Sequence, residues 1–121
     1  MKEVLVTRIR DNKSHEIGIK VDCAHTWFRR LKGLLATVSL PNNRGLWLKP
    51  CNSIHTMGML YTIDVVFLDA NGGIVKVAPK VVPMWFSFAP RGVESVLELS
   101  TGNIEQLDLK VGDRLEFTSA K

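Results

Sequence analysis

The strongest structural signal in this sequence is a strand, a turn and a second strand between residues 60 and 82. Residues 60–69, LYTIDVVFLD, and residues 74–82, IVKVAPKVV, are both rich in β-branched residues. The ANGG stretch between them supplies residues that tolerate the positive φ angles of a tight hairpin turn. Pro79 cannot donate to a neighbouring strand, so the second strand is predicted at a sheet edge or bulge. An antiparallel hairpin is therefore predicted here.

Further short strands are predicted along the rest of the chain, and only one helix. The strands are predicted at residues 2–10, 15–21, 46–49, 95–100 and 112–117. A helix beginning near Thr26 would place Trp27, Phe28, Leu31, Leu34 and Leu35 on one apolar stripe. Residues 101–109, TGNIEQLDL, could add a helical turn. The chain is predicted to be mainly β, a compact antiparallel β-sandwich or distorted barrel of jelly-roll-like form, with one short α-helix in its N-terminal half.

Length and composition point to one globular domain spanning residues 1–121. The chain is 45% hydrophobic and 23% charged, which is close to the average for folded soluble proteins. It has no apolar run long enough for a membrane span, and its first ten residues do not resemble a signal peptide. The lack of a signal-peptide pattern predicts a cytoplasmic protein, and in a reducing cytoplasm its two cysteines are predicted to be free thiols. The sequence does not indicate an oligomeric state.

Five segments together resemble one protein family. They are RRLKGLLA (29–36), GLW (45–47), IDVVFLDANGGIV (63–75), VLELSTG (96–102) and LKVGDRLEF (109–117). In this order and spacing the chain is similar to the uncharacterised family catalogued as domain of unknown function 192, from about Val21 to Phe117. The resemblance implies a small jelly-roll-like β-sandwich, and it brings no established activity.

The segment CNSIHTMGM, residues 51–59, contains residue types that carry chemistry. Cys51 could act as a nucleophile with His55 as its base, and Asp64 could orient the histidine. In the structural alternative, Cys51 is a small buried residue, His55 donates to a backbone carbonyl, and Asp64 accepts hydrogen bonds from a turn. Because the spacing alone brings no two of these side chains together, the structural alternative is favoured, and whether the protein is an enzyme stays open.

Two other functions are disfavoured by the sequence. Cys23, His25, Cys51 and His55 would suit tetrahedral zinc, but Cys23 and His25 are separated by one residue rather than the usual two to four. We therefore predict no metal and no other cofactor. The net charge of +4 and the cluster of Arg29, Arg30 and Lys32 raise nucleic acid as a partner. A solvated helix face explains this cluster better, because the nearby aromatic residues belong to the apolar stripe.

Two acidic residues outside this segment are given structural roles. Glu98 alternates with Leu97 and Leu99, so its side chain is predicted to face solvent or a polar cavity. Asp113 follows a glycine and is predicted to shape the turn before the last strand.

The leading functional prediction comes from an aromatic segment, PMWFSFAPRG at residues 83–92, which is predicted to be an irregular loop. Large apolar side chains on a loop either cover the core or line a binding surface. A site between residues 51–56 and 83–90 is predicted to bind a small molecule or a protein partner, with ligand contacts from Ser53, Thr56, Trp85 and Phe86. The alternative is a hydrolase or transferase that uses Cys51 and His55.

Overall fold

The structure, a computed structural model, describes residues 2–24, 44–49, 53–55, 62–81, 86–88 and 90–119. For residues 2, 22–24, 53–55 and 86–88 it describes the backbone only. The helix predicted to begin near Thr26 lies outside the described residues.

The described residues form nine strands and one short helix, so the chain is mainly β, as predicted. The helix, α1 (Asn103–Gln106), corresponds to the predicted helical turn. The strands are β1 (Lys2–Arg10), β2 (Lys13–Ala24), β3 (Arg44–Leu48), β4 (Ser53–His55), β5 (Ile63–Asp69), β6 (Ile74–Val81), β7 (Phe86–Phe88), β8 (Val93–Ser100) and β9 (Arg114–Ser119).

Seven strands make one sheet in the order β6-β5-β8-β3-β2-β1-β9, and β4 and β7 make a separate two-stranded sheet. All pairs are antiparallel except β2 and β3, which run parallel. The large sheet is therefore mixed rather than purely antiparallel. A parallel pair needs a connection of roughly a dozen or more residues, and residues 25–43 provide one.

The large sheet curls strongly without closing into a barrel. Trp47 on β3 stacks on Phe117 of β9, although β2 and β1 separate these strands in the sheet, and the two ring centroids are 3.9 Å apart. Gly73 in the β5–β6 turn forms a bridge with Arg114 at the start of β9. Backbone N–H groups of Ile74, Gly112 and Leu115 also donate across this contact, to the carbonyl oxygens of Asp113, Ile74 and Gly72. The concave side of the curl is called the inner face here, and its convex side the outer face.

Both faces of the central strands are buried. On the inner face, alternate residues of β5 and β8 pack with side chains from β1, β2, β9 and α1. That core consists of Val4, Val6, Ile17, Ile19, Val21, Val66, Leu68, Ile74, Leu97, Leu99, Ile104, Leu109 and Leu115. A second cluster, on the outer face, consists of Ile63, Val65, Phe67, Val81, Val93 and Val96. Strands buried on both sides read as continuous apolar runs, as β5 does.

The predicted hairpin is confirmed as β5 and β6 joined by residues 70–73. Asp69 holds the turn, because its Oδ1 accepts hydrogen bonds from the backbone N–H of Asn71 (2.9 Å) and of Gly73 (2.7 Å). Gly72 has a φ of +84°, and a Cβ atom there would lie 2.3 Å from the carbonyl oxygen of Leu115. β6 is an edge strand of the large sheet, which agrees with the position of Pro79.

Asp113 shapes the turn before β9, as predicted. Its Oδ2 accepts hydrogen bonds from the backbone N–H of Lys110 (3.0 Å) and from Nη2 of Arg10 (2.7 Å). Nε of Arg10 donates to its Oδ1 at 2.7 Å, so the pair is bidentate. These side-chain hydrogen bonds hold the pKa of Asp113 below its usual range. Arg10 also donates to Asp108, and thereby ties β1 to the segment before β9.

Replacing Arg10 by methionine is expected to lower the urea midpoint of unfolding at pH 7, because Asp113 then stays buried without its cation. Since Arg10 lowers the folded-state pKa of Asp113, this stabilisation is present above the pKa of an unfolded aspartate and is lost as the pH falls below about 4. The difference in midpoint between wild type and Arg10→Met should shrink over that range. A difference that grows on acidification would contradict this role for Arg10.

Candidate functional site

The most unusual polar group in the described structure is the carboxyl of Glu98. Glu98 lies on β8, next to Leu46 of β3 and Val65 of β5 in the strand register. It shares the outer face with Val65 and Val96 and is completely buried. Neither of its carboxyl oxygens has a hydrogen-bond partner in the part of the chain that the structure describes. Its neighbours on the sheet are therefore apolar and satisfy none of its hydrogen-bonding capacity.

Burial changes the charge of this carboxyl. Removal from water disfavours the ionised form and raises the pKa of Glu98 to about 8. At pH 7 the group is therefore mainly the neutral acid, which offers one O–H donor beside a carbonyl acceptor. A buried polar group without partners costs free energy, and such groups with shifted pKa values concentrate at functional sites.

The prediction that Glu98 faces solvent or a polar cavity was wrong. Its alternation with Leu97 and Leu99 does place it on the opposite face of the strand from them. That opposite face is buried as well, because β8 is a central strand between β5 and β3 and the sheet is covered there on both sides. Alternation identifies a face, but it does not tell whether that face is covered.

The backbones of the two segments predicted to frame a site pair with each other. β4 and β7 are antiparallel, with Ser53 opposite Phe88, Ile54 opposite Ser87 and His55 opposite Phe86. Residues 83–92 were expected to form an irregular loop. This was wrong for residues 86–88, which form a strand. Cys51, Thr56 and Trp85 lie outside the described residues. The roles predicted for them, and for the side chains of Ser53, His55 and Phe86, stay predictions.

Asp64, the predicted partner of His55, lies on β5 and is completely buried. Its Oδ1 accepts the backbone N–H of Lys80 at 2.9 Å. Its Oδ2 accepts the backbone N–H groups of Gly102 (3.0 Å) and Ile104 (2.9 Å) at the start of α1. The carboxylate thus caps a short helix and holds Lys80, whose φ is +56°. These bonds engage both oxygens, which favours the structural alternative for Asp64.

The other sequence-based candidates fall mostly outside the described residues. Only the backbone of Cys23 is described, in β2 opposite Trp47, and His25 is not described. No group of three or more metal-ligating side chains occurs within the described ranges. The cluster of Arg29, Arg30 and Lys32 also lies outside them. Among the described residues, no helix has the length and apolar character needed to cross a membrane.

The sequence profile of the DUF192 family, described as "Uncharacterized ACR, COG1430", matches residues 7–117. The chain belongs to this family. Two curated relatives agree with the assignment. A UPF0127 protein of Thermococcus sibiricus is 31% identical over 104 residues, which are 81% of this chain and 66% of the relative. The UPF0127 protein PF1050 of Pyrococcus furiosus is 32% identical over 111 residues, which are 87% of this chain and 92% of the relative.

Two crystal structures share the fold of this DUF192 chain. One is from Sinorhizobium meliloti and is provisionally described as a transcription regulator; it has a TM-score of 0.82, 22% identity, and coverage of 95% of this chain and 93% of its own. The other is a protein of unknown function from Novosphingobium aromaticivorans, with a TM-score of 0.80, 22% identity, and coverage of 94% and 84%. At 22% identity the likeness to these two structures shows the fold alone. The DUF192 family itself is described as uncharacterised.

Proposed function

We propose that this protein is a binding module that holds a small molecule over the outer face of its sheet, at Glu98. The observation that carries the proposal is the buried carboxyl of Glu98, which has no hydrogen-bond partner among the described residues. Buried polar groups in native proteins are nearly always hydrogen-bonded, and a bound ligand can supply the missing hydrogen bonds. The pairing of β4 with β7 supports the proposal, because it joins the two segments from which ligand contacts are expected.

Chain connectivity gives a reason to expect those segments near Glu98. β2, β3 and β5 run in the same direction, and each successive one lies closer to the β6 edge of the sheet. Right-handed crossovers that step in the same direction pass over the same face. The inner face is occupied by the core, so within the connection from β3 to β5 we expect the described strand β4 to lie over the outer face. This connection has to cross β8, the strand that carries Glu98.

The state of Glu98 restricts the ligand. A neutral carboxylic acid presents a donor and an acceptor side by side, which complements the edge of a carboxamide, a lactam or another protonated acid. The surrounding residues Leu46, Val65 and Val96 are apolar, so the part of the ligand that lies over them should be apolar too. We therefore expect an uncharged, mainly apolar molecule that carries one amide-like group.

A metabolite screen by thermal shift at pH 7 tests this function. A true ligand should raise the melting temperature of the wild type, and Glu98→Leu should remove most of that shift, because leucine cannot exchange hydrogen bonds with it. Trp85→Ala should also remove it. Glu16→Gln is the control, since Glu16 is exposed on β2, lies in neither proposed site and should leave the shift intact. A ligand that stabilises Glu98→Leu as much as wild type would exclude Glu98 from the site.

The same screen separates the alternatives. If no compound shifts the melting temperature, a protein partner replaces the small molecule as the candidate. An enzyme using Cys51 would instead be indicated by alkylation with iodoacetamide well above the rate of a free thiol near pH 7, slowed by His55→Ala. We place the protein in the cytoplasm, a proposal that agrees with a cysteine content too low for the disulfide framework of many small secreted domains.

A further inference from the structure

A cavity opens on the inner side of the curled sheet, away from the outer face that carries Glu98. It has a volume of about 210 Å³ and lies between the β5–β6 turn, the end of β3, the first half of β9 and the start of β8. Its apolar wall includes Trp47, Leu115 and Phe117. The mouths of curled and closed sheets are common ligand sites, and this volume is below the roughly 300–1,000 Å³ of sites for drug-sized molecules. It suits a molecule of metabolite size.

Two hydrogen-bond donors on the β3 side of the cavity have no acceptor in the described structure. The indole Nε1 of Trp47 is buried and has no hydrogen-bond partner there. The ammonium group of Lys49 lies 5.1 Å from the centre of the Trp47 ring, and no ion pair of Lys49 is found among the described residues. A buried N–H without an acceptor is costly, and an adjacent cation favours an acceptor that is negatively charged.

Carboxylates line other parts of the same cavity. Asp69 is engaged by the backbone of its own turn, and Glu116 accepts a hydrogen bond from Arg114 at 3.3 Å. Glu94, at the start of β8, is exposed and has no hydrogen bond or ion pair within the described part of the chain. It is therefore the carboxylate that is free to receive a cation. The cavity thus combines a positive group, a free negative group and an apolar wall.

We propose that this cavity binds a free amino acid with an apolar side chain. The ligand carboxylate would pair with Lys49 beside the indole of Trp47, and its ammonium group would pair with Glu94. Its side chain would pack on Leu115 and the stacked rings of Trp47 and Phe117. A zwitterion satisfies both charges at once, whereas a simple anion would face the carboxylates of the cavity and a simple cation would leave Lys49 without an acceptor. This site is independent of the one proposed at Glu98.

The indole N–H resonance of Trp47 reports directly on this site. The chain has three tryptophans, so a ¹⁵N-labelled sample gives three indole signals, and Trp47→Phe assigns one of them by its disappearance. Titration with L-leucine and L-phenylalanine should shift that signal saturably for at least one of the two. N-acetylation or conversion of the carboxylate to an amide should weaken binding about tenfold or more, because each change removes one charge-assisted contact. No saturable shift, or equal binding of the blocked derivatives, would overturn the proposal.

Three variants locate the contacts. Lys49→Gln and Glu94→Gln change exposed side chains and should each weaken binding of the same amino acid by about tenfold without loss of folding. Trp47→Phe keeps an aromatic ring to stack on Phe117 but removes the N–H and part of the apolar wall, so calorimetry should show weaker binding with the fold retained. Glu98→Leu should leave the affinity unchanged, which separates this site from the outer face. Binding that is insensitive to both Lys49→Gln and Glu94→Gln would also overturn the proposal.

Discussion

The free energy of unfolding of the ligand-free protein should fall by about 3 kcal/mol between about pH 5 and pH 8 because of Glu98 alone. Burial raises the pKa of this carboxyl to about 8 in the folded protein, from a reference value of 4.5. Across this interval the folded state keeps the proton that the unfolded state releases. The stabilising contribution of the Glu98 proton is therefore fully present below the pKa of the unfolded state, and it is lost as the pH rises toward the pKa of the folded state. Urea unfolding at a series of pH values measures this loss.

Comparison with variants isolates the contribution of Glu98. Glu98→Gln keeps the shape of the side chain and cannot ionise, so its stability should depend less steeply on pH than that of the wild type. Glu98→Leu removes the buried polar group altogether and should be more stable than wild type at pH 8, provided that leucine fits the space. Glu94→Gln, on the same strand but exposed, should follow the wild-type curve. Parallel curves for wild type and Glu98→Gln would show that Glu98 is not buried as an unpaired acid.

Loss of the Asp64 carboxylate should strongly lower the stability of the fold. Asp64→Ala leaves the backbone N–H groups of Lys80, Gly102 and Ile104 without their acceptor. A buried unpaired donor costs about 1–3 kcal/mol. Because the N–H of Ile104 is buried and the other two are partly buried, the three together should lower the free energy of unfolding by about 3 kcal/mol. Chemical denaturation at pH 7 measures this. Lys80 and the start of α1 should also lose protection from amide hydrogen exchange.

Asp69→Ala is the matched control for Asp64→Ala. Asp69 also accepts two backbone N–H groups, but it does so in a partly exposed turn, where water can replace it. Its loss should therefore cost only about 1 kcal/mol. If Asp64→Ala were no more damaging than Asp69→Ala, the three bonds would not carry the structural role assigned to Asp64. Asp64→Asn should be intermediate, since its amide retains one acceptor oxygen.

Local sequence signals predicted the hairpin and the strands well. Pro79 predicted that its strand lies at a sheet edge, and ANGG predicted a tight hairpin turn. Both are observed, because β6 is an edge strand and residues 70–73 join it to β5. The parallel pairing of β2 with β3 could not be predicted in this way, because it depends on the path of residues 25–43 and not on either strand. The short pair of β4 and β7 was missed for a related reason. Three-residue strands at residues 53–55 and 86–88 are too short for alternation to be recognised, and each depends on a partner distant in sequence.

The candidate site was only partly predictable. The types of residue at Cys51, His55 and Asp64 suggested chemistry, whereas Asp64 proved to be bonded to backbone amides. Glu98 was assigned to solvent or a polar cavity because leucines surround it in sequence. The one sequence indication that Glu98 is buried was its position in the centre of an apolar strand. Whether such a glutamate is buried depends on what covers the other face of β8, which the strand sequence does not show. The donors of Trp47 and Lys49 likewise become a site only when the sheet curls and brings β9 against β3.

The most direct test of the proposed function is the pKa of Glu98 itself, measured from the ¹³C signal of its side-chain carboxyl over a pH titration of the folded protein. Glu98→Gln assigns the signal by its absence. We predict a midpoint near the value of about 8 expected for a buried acid without partners, and a change in that midpoint when a ligand from the screen is bound. A midpoint close to the reference value of 4.5, unaffected by ligand, would contradict a binding site built around Glu98.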